Sequence, residues 1–372
     1  MSRPARIDAV ELLARLIAAR SYSQHEGPAA EVLEAALREA GLSPRRLGDN
    51  VICERGSGRA GLLFNSHLDT VPAAPSWSRD PWTPAIEGER MYGLGATDAK
   101  SCVAAMAAAF VAAPEPGARG RLVLAATANE EAGGASGPSG LEQVLPELGP
   151  LAGAVVGEPT RLQICHGQRG LVRAVLRARG RAGHASRPWE GVNAIERAAE
   201  DVLALRALAE HIAVAGADPL LGRPTVQATV IQGGSAPNVI PERCEVVLDV
   251  RTTRTWDNDA ALAALARTCA SELEVRSRRF VPVATDPQAA IVRAARQALP
   301  QAQVMAFGGV SDLYFLHAAP GGPVPGVLIG PGDGRQSHQP DEFVRLPMVE
   351  QAVEAYIRLA EAFWPLVAQE RG

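Results

Sequence analysis

Over the first 170 residues the apolar positions fall into two alternating textures. Short continuous runs, Gly61 to Phe64, Leu122 to Ala126 and Ala154 to Val156, have the length and content of strands buried on both faces. Between them the spacing turns helical. Val10, Leu12, Leu13, Leu16 and Ile17, interrupted by Glu11, Arg15 and Arg20, predict an amphipathic helix within residues 1–20. Ala29 to Ala40 predicts a second helix, and Cys102 to Ala113, almost entirely Ala, Val, Met and Phe, a third that is buried all round. Strands alternating with helices predict a sheet covered by helices.

The texture changes at Leu171. Leu171 to Gly180 mixes apolar residues with Arg, as a strand with one wet face would. A long Ala/Leu-rich helix from about Val192 to His211 follows, then strands Thr225 to Ile231 and Cys244 to Arg251, a helix Asp259 to Glu272 and a strand Glu274 to Phe280. Strand, helix, strand, strand, helix, strand is the ferredoxin-like pattern. The ends of such a domain lie close together, so it can be an insertion. After Phe280 the first texture resumes. The expected organisation is therefore an α/β domain of residues 1–171 and 283–372, its mixed sheet flanked by helices, with an inserted α+β domain of residues 172–282. Gly321 to Gly326 reads as a rigid turn and Pro114 to Gly120 as a linker.

A chain of 372 residues, 47% hydrophobic and 21% charged, suits two soluble domains. A net charge of -4 without any Lys/Arg stripe argues against nucleic acid as a partner. Cys53, Cys102, Cys165, Cys244 and Cys269 are scattered without a Cys-x-x-Cys, which suggests buried small hydrophobes rather than a disulfide framework or a thiolate metal site. No apolar run approaches the roughly 18 residues of a membrane span and the N-terminus lacks a signal-peptide pattern, so a cytoplasmic location without membrane contact is expected.

The chemistry gathers where the apolar runs end. His67 and Asp69 follow the first run two residues apart, a spacing at which a carboxylate can stand behind an imidazole and fix its tautomer. Asp98 lies in Gly93 to Lys100, Glu130 and Glu131 follow the second run, Glu158 the third, and His338 follows Val327 to Gly332. In open α/β sheets that edge is where ligands bind. Two imidazoles and three carboxylates without thiolate suit two divalent ions, zinc, cobalt or manganese, if one carboxylate bridges. Glu130, beside a ligand-type residue, has the place of a general base.

This set, in this order, resembles the acetylornithine deacetylase and succinyl-diaminopimelate desuccinylase family of co-catalytic zinc amidohydrolases, and the likeness spans essentially the whole chain. The resemblance implies that His67 and Glu158 hold one metal, Glu131 and His338 the other, and Asp98 both, with Asp69 orienting His67 and Glu130 moving the proton. It implies a zinc-peptidase-like fold whose inserted domain serves as lid and dimerisation surface. Gly183-His184-Ala-Ser186 is similar to the segment that stabilises the oxyanion, from the partner subunit in dimeric members. Pro237-Asn238-Val-Ile-Pro241 and Asp249-Val-Arg251 resemble strands that grip a substrate carboxylate, and Gly308 to Asp312, with Ser311, a further substrate loop. Where the family usually has Gly after Asp-x-Lys this chain has Ser101, acceptable as a residue at a helix N-terminus. Trp77 and Trp82, read as structural rings, bracket a Trp-x-x-Asp-Pro run similar to the acetylornithine and acetylcitrulline branch. So are Gly157 to Thr160, Gly330 to Asp333 and Gln339 to Glu342. The implied substrate is an N-acyl amino acid, N-acetylornithine first, cleaved by a homodimer. Acetylcitrulline, acetyl-lysine, succinyl-diaminopimelate and short peptides are competing substrates, and a binding protein without turnover is the alternative from another class.

Overall fold

The computed structural model describes residues 6–132 and 137–371. They fall into two compact units, one made of the described residues within 1–166, 285–305 and 311–372, the other of residues 167–284 with 306–310.

At the centre of the first unit the strand Gly61–His67 runs parallel to Arg121–Thr127 on one side and Leu151–Val156 on the other. All of its residues are buried. It outlasts the apolar run because its polar side chains find acceptors inside: Asn65 Nδ2 donates to Ala125 O (3.1 Å) and Thr127 Oγ1 (3.0 Å), and Ser66 Oγ to Gly157 O (2.9 Å), while Asn65 Oδ1 is buried without a partner among the described residues. Gly326–Leu328 extends the parallel set beyond Leu151–Val156, and Asn50–Gly56 and Arg45–Leu47 extend the sheet antiparallel at the other edge. The register pairs His67 with Thr127, Asn65 with Val156 and Leu328 with Val156. Four chain segments therefore leave the sheet at one edge.

Helix α1 (Ala9–Ala18), helix α2 (Gly27–Glu39), helix α3 (Lys100–Ala112) and the C-terminal helix Leu346–Arg371 enclose that sheet in one apolar cluster. From Lys100 to Val111 every residue of α3 is buried, as its uniform apolar face predicts. Tyr356 stacks on Phe64 at 5.6 Å and spends its hydroxyl on Ile329 O at 2.7 Å, so a large ring is buried without an orphaned polar atom. The helix expected within residues 1–20 is α1; residues 1–5 lie outside the described set. Ser101 does not cap α3: that place is held by Ala99, and the Ser101 hydroxyl is buried with no hydrogen-bond partner among the described residues.

The second unit is a four-stranded antiparallel sheet in the order Thr225–Gly233, Arg243–Thr252, Gly170–Arg179, Glu272–Phe280. Helices Ala194–Ala215 and Asn258–Thr268 share an apolar core with it. Strand order and element order are those of the ferredoxin-like pattern. Arg177 on the wet face pairs with Glu245 and Glu274 of the flanking strands. The helix expected to run to Glu272 stops at Thr268, for a reason remote in sequence: the buried Asp201 carboxylate accepts the amides of Ala270 (2.7 Å) and Ser271 (3.2 Å), turning the chain early into its strand. Cys53, Cys102, Cys165 and Cys244 are buried free thiols and Cys269 is half-buried. No helix among the described residues is long and apolar enough to cross a membrane.

Buried Asp218 accepts hydrogen bonds from the amides of Leu220 and Leu221 and a two-pronged pair from Arg254 at 2.8 and 2.9 Å. Led by Arg254, these bonds lower its pKa from 3.8 to about 2. A depressed carboxylate pKa contributes stability above pH 3.8 that disappears as pH falls through about 2. The Arg254 side chain is 47% exposed, which screens the pair. Asp218→Asn should therefore cost about 1–2 kcal/mol at neutral pH. Urea melts followed from pH 7 to 2 should show that loss at neutral pH and its disappearance in acid.

Candidate metal centre

His67 ends its strand with a buried ring that is 2% exposed. Its Nδ1 faces Asp69, nearer the backbone oxygen (3.0 Å) than the carboxylate (3.5 Å), so the carbonyl completes the orienting role expected of the side chain. That leaves Nε2 directed at Asp98 Oδ1, 3.3 Å away. Donor atoms of His67, Asp98 and Glu158 all lie within 4.8 Å of one another, and so do those of Asp98, Glu131 and His338. Asp98 belongs to both sets, and its two oxygens face different rings, Oδ1 toward His67 and Oδ2 toward His338 at 3.8 Å. His338 Nε2 also meets both Glu131 oxygens at 3.0 and 3.1 Å. His338 itself has φ 61°, a left-handed backbone that a non-glycine residue adopts only when its surroundings hold it there.

The loop that carries Glu130 and Glu131 has no strand partner, yet four successive amides are taken. Ala128 N–H donates to Asn50 Oδ1 (2.9 Å), Asn129 N–H to Glu26 (2.9 Å), Glu130 N–H to Asp69 Oδ1 (3.1 Å) and Glu131 N–H to Asp69 Oδ2 (3.0 Å). Ser23 Oγ adds 2.7 Å to Asp69 from the other side. Asp69 therefore orients the His67 ring and locks the backbone of both glutamates. The left-handed turn at Asn129, φ 58°, swings them back toward His67.

A similar grip holds Asp98. Buried Glu342 accepts from the amides of Gly95 (3.1 Å), Thr97 (2.7 Å) and Asp98 (3.0 Å), while Thr97 Oγ1 donates to Phe343 O at 2.7 Å. The next peptide bond, Asp98–Ala99, is cis.

Carboxylates outnumber imidazoles here, and the electrostatics respond. Burial, with the fields of neighbouring carboxylates, holds Glu130 and Glu158 well above the usual carboxylate range, and burial raises Glu131. Burial also lifts Asp312 to about 6 and Glu342 to about 8, the latter with help from Asp98. Hydrogen bonding to Glu131 raises His338 to about 9. For His67 and Asp98 burial opposes the charged forms, but Asp69 and then Asp98 raise the ring, and contact with His67 lowers the Asp98 acid. Imidazole and carboxylate donors in two compact sets, with buried negative charge left over, fit two divalent cations of the zinc, cobalt or manganese type.

The remaining predicted residues stand elsewhere. His184 and Asn238 are exposed in the second unit on a two-stranded ladder, Gly183–His184 with Val239–Ile240, where Ala185 N–H donates to Asn238 O at 3.0 Å. Ser186 N–H donates to His184 Nδ1 at 3.2 Å, which leaves the ring hydrogen on Nε2. Arg251 is engaged by Asp249 at 2.7 and 3.1 Å. Ser311, in the first unit, is 1% exposed and accepts from Leu313 N–H at 3.2 Å, so it fixes the start of helix Leu313–His317. Trp82 is buried against Tyr22, ring centroids 5.1 Å apart, in agreement with a structural ring.

Sequence reasoning gave no individual task to Glu26, Asn50 or Glu342, and took Asp312 only as the end of a substrate loop. Asp312 is buried, accepting from Thr127 Oγ1 (3.2 Å) and Ser139 Oγ (2.9 Å). Glu342 stood in a segment noted for its likeness, Gln339 to Glu342, but nothing local marks a carboxylate whose partners are some 245 residues earlier.

The family model for peptidase family M20/M25/M40 matches residues 63–362. Acetylornithine deacetylase of Proteus mirabilis (strain HI4320) is 30% identical over 327 residues, 84% of this chain and 82% of that protein. Succinyl-diaminopimelate desuccinylase of Xanthomonas euvesicatoria pv. vesicatoria (strain 85-10) is 31% identical over 380 residues, 95% and 98% of the two chains. Among solved structures, a metallo-carboxypeptidase of the M20 family from Sulfolobus solfataricus superposes with a TM-score of 0.76 at 18% identity, covering 96% of this chain and 99% of that one. A dinuclear metal-binding M20 peptidase from Bacillus subtilis gives 0.69 at 16% identity, covering 95% and 96%. On the sequence match, with the fold in agreement, this chain belongs to peptidase family M20/M25/M40 and is a metal-dependent hydrolase of amide bonds.

Proposed function

We propose that the protein hydrolyses the amide of an N-acyl amino acid to a carboxylate and a free amine, with N-acetylornithine, giving ornithine and acetate, as the first substrate to test. The observation that carries this reading is the pair of donor sets meeting on the two oxygens of Asp98, with half-buried Glu130 close enough to feel the charges of His67 and Glu158. His67, Asp98 and Glu158 would hold one divalent ion and Asp98, Glu131 and His338 the other. When bound, such ions polarise a carbonyl and ease deprotonation of water.

The chain's own residues do the rest. Glu130, its carboxyl pushed up by burial, is suited to take a proton from the attacking water and hand it to the departing amine. The amides at 128–131 and at 95, 97 and 98 are already spent on side chains, so none of them is free to form an oxyanion hole. His184, with its hydrogen on Nε2, is the donor we assign to the oxyanion. Asn238 and Arg251 would grip the substrate carboxylate, Arg251 exchanging one carboxylate partner for another. Ser311 would enter only by anchoring the loop that precedes Leu313.

Succinyl-diaminopimelate is the second substrate, favoured because desuccinylase relatives match this chain over 94–95% of its length. Acetylcitrulline, acetyl-lysine and dipeptides complete the set. The second unit, residues 172–282 in our domain reading, is proposed to serve as lid and as the contact of a homodimer in the cytoplasm. Its apolar exposure supports the contact: Leu203 (66%) and Val214 (78%) on the helix, Val230 (46%) and Ile231 (53%) on the edge strand.

The deciding assay offers these N-acyl amino acids and dipeptides to protein loaded with zinc, cobalt or manganese, and measures amine release. Turnover of one N-acyl amino acid, two metal ions per chain and loss of activity on chelation are expected. Binding of the panel without amine release would make it a binding protein, and activity undiminished by a chelator would remove the metals. Glu130→Gln keeps the shape of the side chain but cannot accept a proton, so metal content should survive while kcat falls by roughly 10²–10⁴-fold. For the dimer, inactive Glu130→Gln chains mixed with inactive His184→Ala chains should recover activity if His184 serves the neighbouring site. No recovery despite demonstrated subunit exchange would place His184 in its own chain's site or outside the chemistry.

A further inference from the structure

Of the 37 basic residues in this chain, Lys100 is the only lysine. Everywhere else the chain uses arginine. Lys100 is also fully buried, at 0% exposure, and it is the first residue of α3, where the helix dipole disfavours a cation. Both oddities have one explanation in the structure.

The Lys100 side chain leaves its own helix and donates from Nζ to Leu16 O (2.8 Å) and Ala19 O (2.9 Å). These are C-terminal carbonyls of α1, unpaired within that helix and at the negative end of its dipole. The indole of Trp82 closes the pocket, its centroid 5.3 Å from Nζ. Packing along the stem is tight: a β-carbon on Gly95 would stand 3.0 Å from Lys100 Cδ and 3.2 Å from Cγ. A guanidinium is larger, flat and needs several acceptors in its plane, whereas an ammonium is satisfied by two carbonyls and a ring face.

Asp98 is two residues away. Lys100 N–H donates to Gly95 O at 2.9 Å, closing residues 95–100 into a small loop with Asp98 inside it. Glu342 holds that loop by three amides on one side, and Lys100 ties it to the end of α1 on the other. The carboxylate that serves both donor sets is thus placed by two buried groups that belong to neither set.

We propose that Lys100 is a positioning residue for Asp98, retained as lysine because only the compact ammonium can be buried on these two carbonyls, and that it sets the affinity of the centre for metal. This rests on the metal reading above, and the test separates the two. Metal-free wild type, Lys100→Arg and Lys100→Met are titrated calorimetrically with zinc chloride and with cobalt chloride, and their metal-free thermal midpoints are measured. Wild type should take up two equivalents. Both variants should bind 10–100-fold more weakly, the range for losing a group that orients ligands. Affinity lost beyond what the change in metal-free midpoint accounts for supports positioning, and variants that lose midpoint yet bind like wild type overturn it. If neither variant folds, wild type labelled with 15N-lysine decides, because its one lysine amide signal reports on the Asp98 loop. Zinc should shift that signal as the equivalents bind, and an unmoved signal at saturation overturns the proposal. Wild type that binds no metal would instead sink the metal reading itself.

Discussion

Seven loop amides accepted by four side chains hold the centre together. Glu26, Asn50, Asp69 and Glu342 take the amides at 95, 97, 98 and 128–131, where no neighbouring strand is available. Fixing a residue's backbone costs about 1–2 kcal/mol, while a hydrogen bond returns about 0.5–1.5 kcal/mol to a neutral acceptor and roughly 1.5–3 kcal/mol to a charged one. At about one such bond per ordered residue, the loops can stand rigid without regular structure. Left-handed Asn129 persists because its own amide and those on either side are held, and left-handed His338 is held by its ring against Glu131.

The same carboxylates create the electrostatic problem that the centre is built to use. Burying Glu130, Glu158, Asp312 and Glu342 near Asp98 pushes their protonation upward, and two imidazoles cannot balance them all. A buried site with surplus negative charge and convergent donors gains from cations in a way that a neutral cleft would not. Unlike Glu131 and Glu158, Glu130 belongs to neither three-residue donor set, while Asp312 and Glu342, also outside them, spend their carboxylates on Thr127, Ser139 and the amides at 95, 97 and 98. That leaves Glu130 as the carboxyl we propose for moving the proton.

Geometry, not composition, brings these groups together. Three parallel strands in register deliver His67, the Glu130–Glu131 loop and Glu158 to one edge, and the fourth, Gly326–Leu328, starts the path to His338. A slip of one residue in any of them would turn a donor to the opposite face of the sheet. The buried hydrogen bonds of Asn65 and Ser66 oppose that slip.

From uniform apolar runs and helical spacing the sequence alone determined the three central parallel strands, helices α1 to α3 and the elements of the second unit, but not the strand Asn50–Gly56 or the C-terminal helix Leu346–Arg371. It also singled out five candidate donors, His67, Asp98, Glu131, Glu158 and His338, each where an apolar run ends or a helix begins, and the fold gathers them into two compact sets. What needed the tertiary structure were partnerships across long separations: Glu342 with the Asp98 loop, Asp69 with two amides beyond Thr127, Asp201 ending a helix near Ala270, and Lys100 capping a helix that is not its own. A buried carboxylate or ammonium carries no local pattern, because its partners are backbone groups that every residue possesses. Only the folded chain selects which of them it meets.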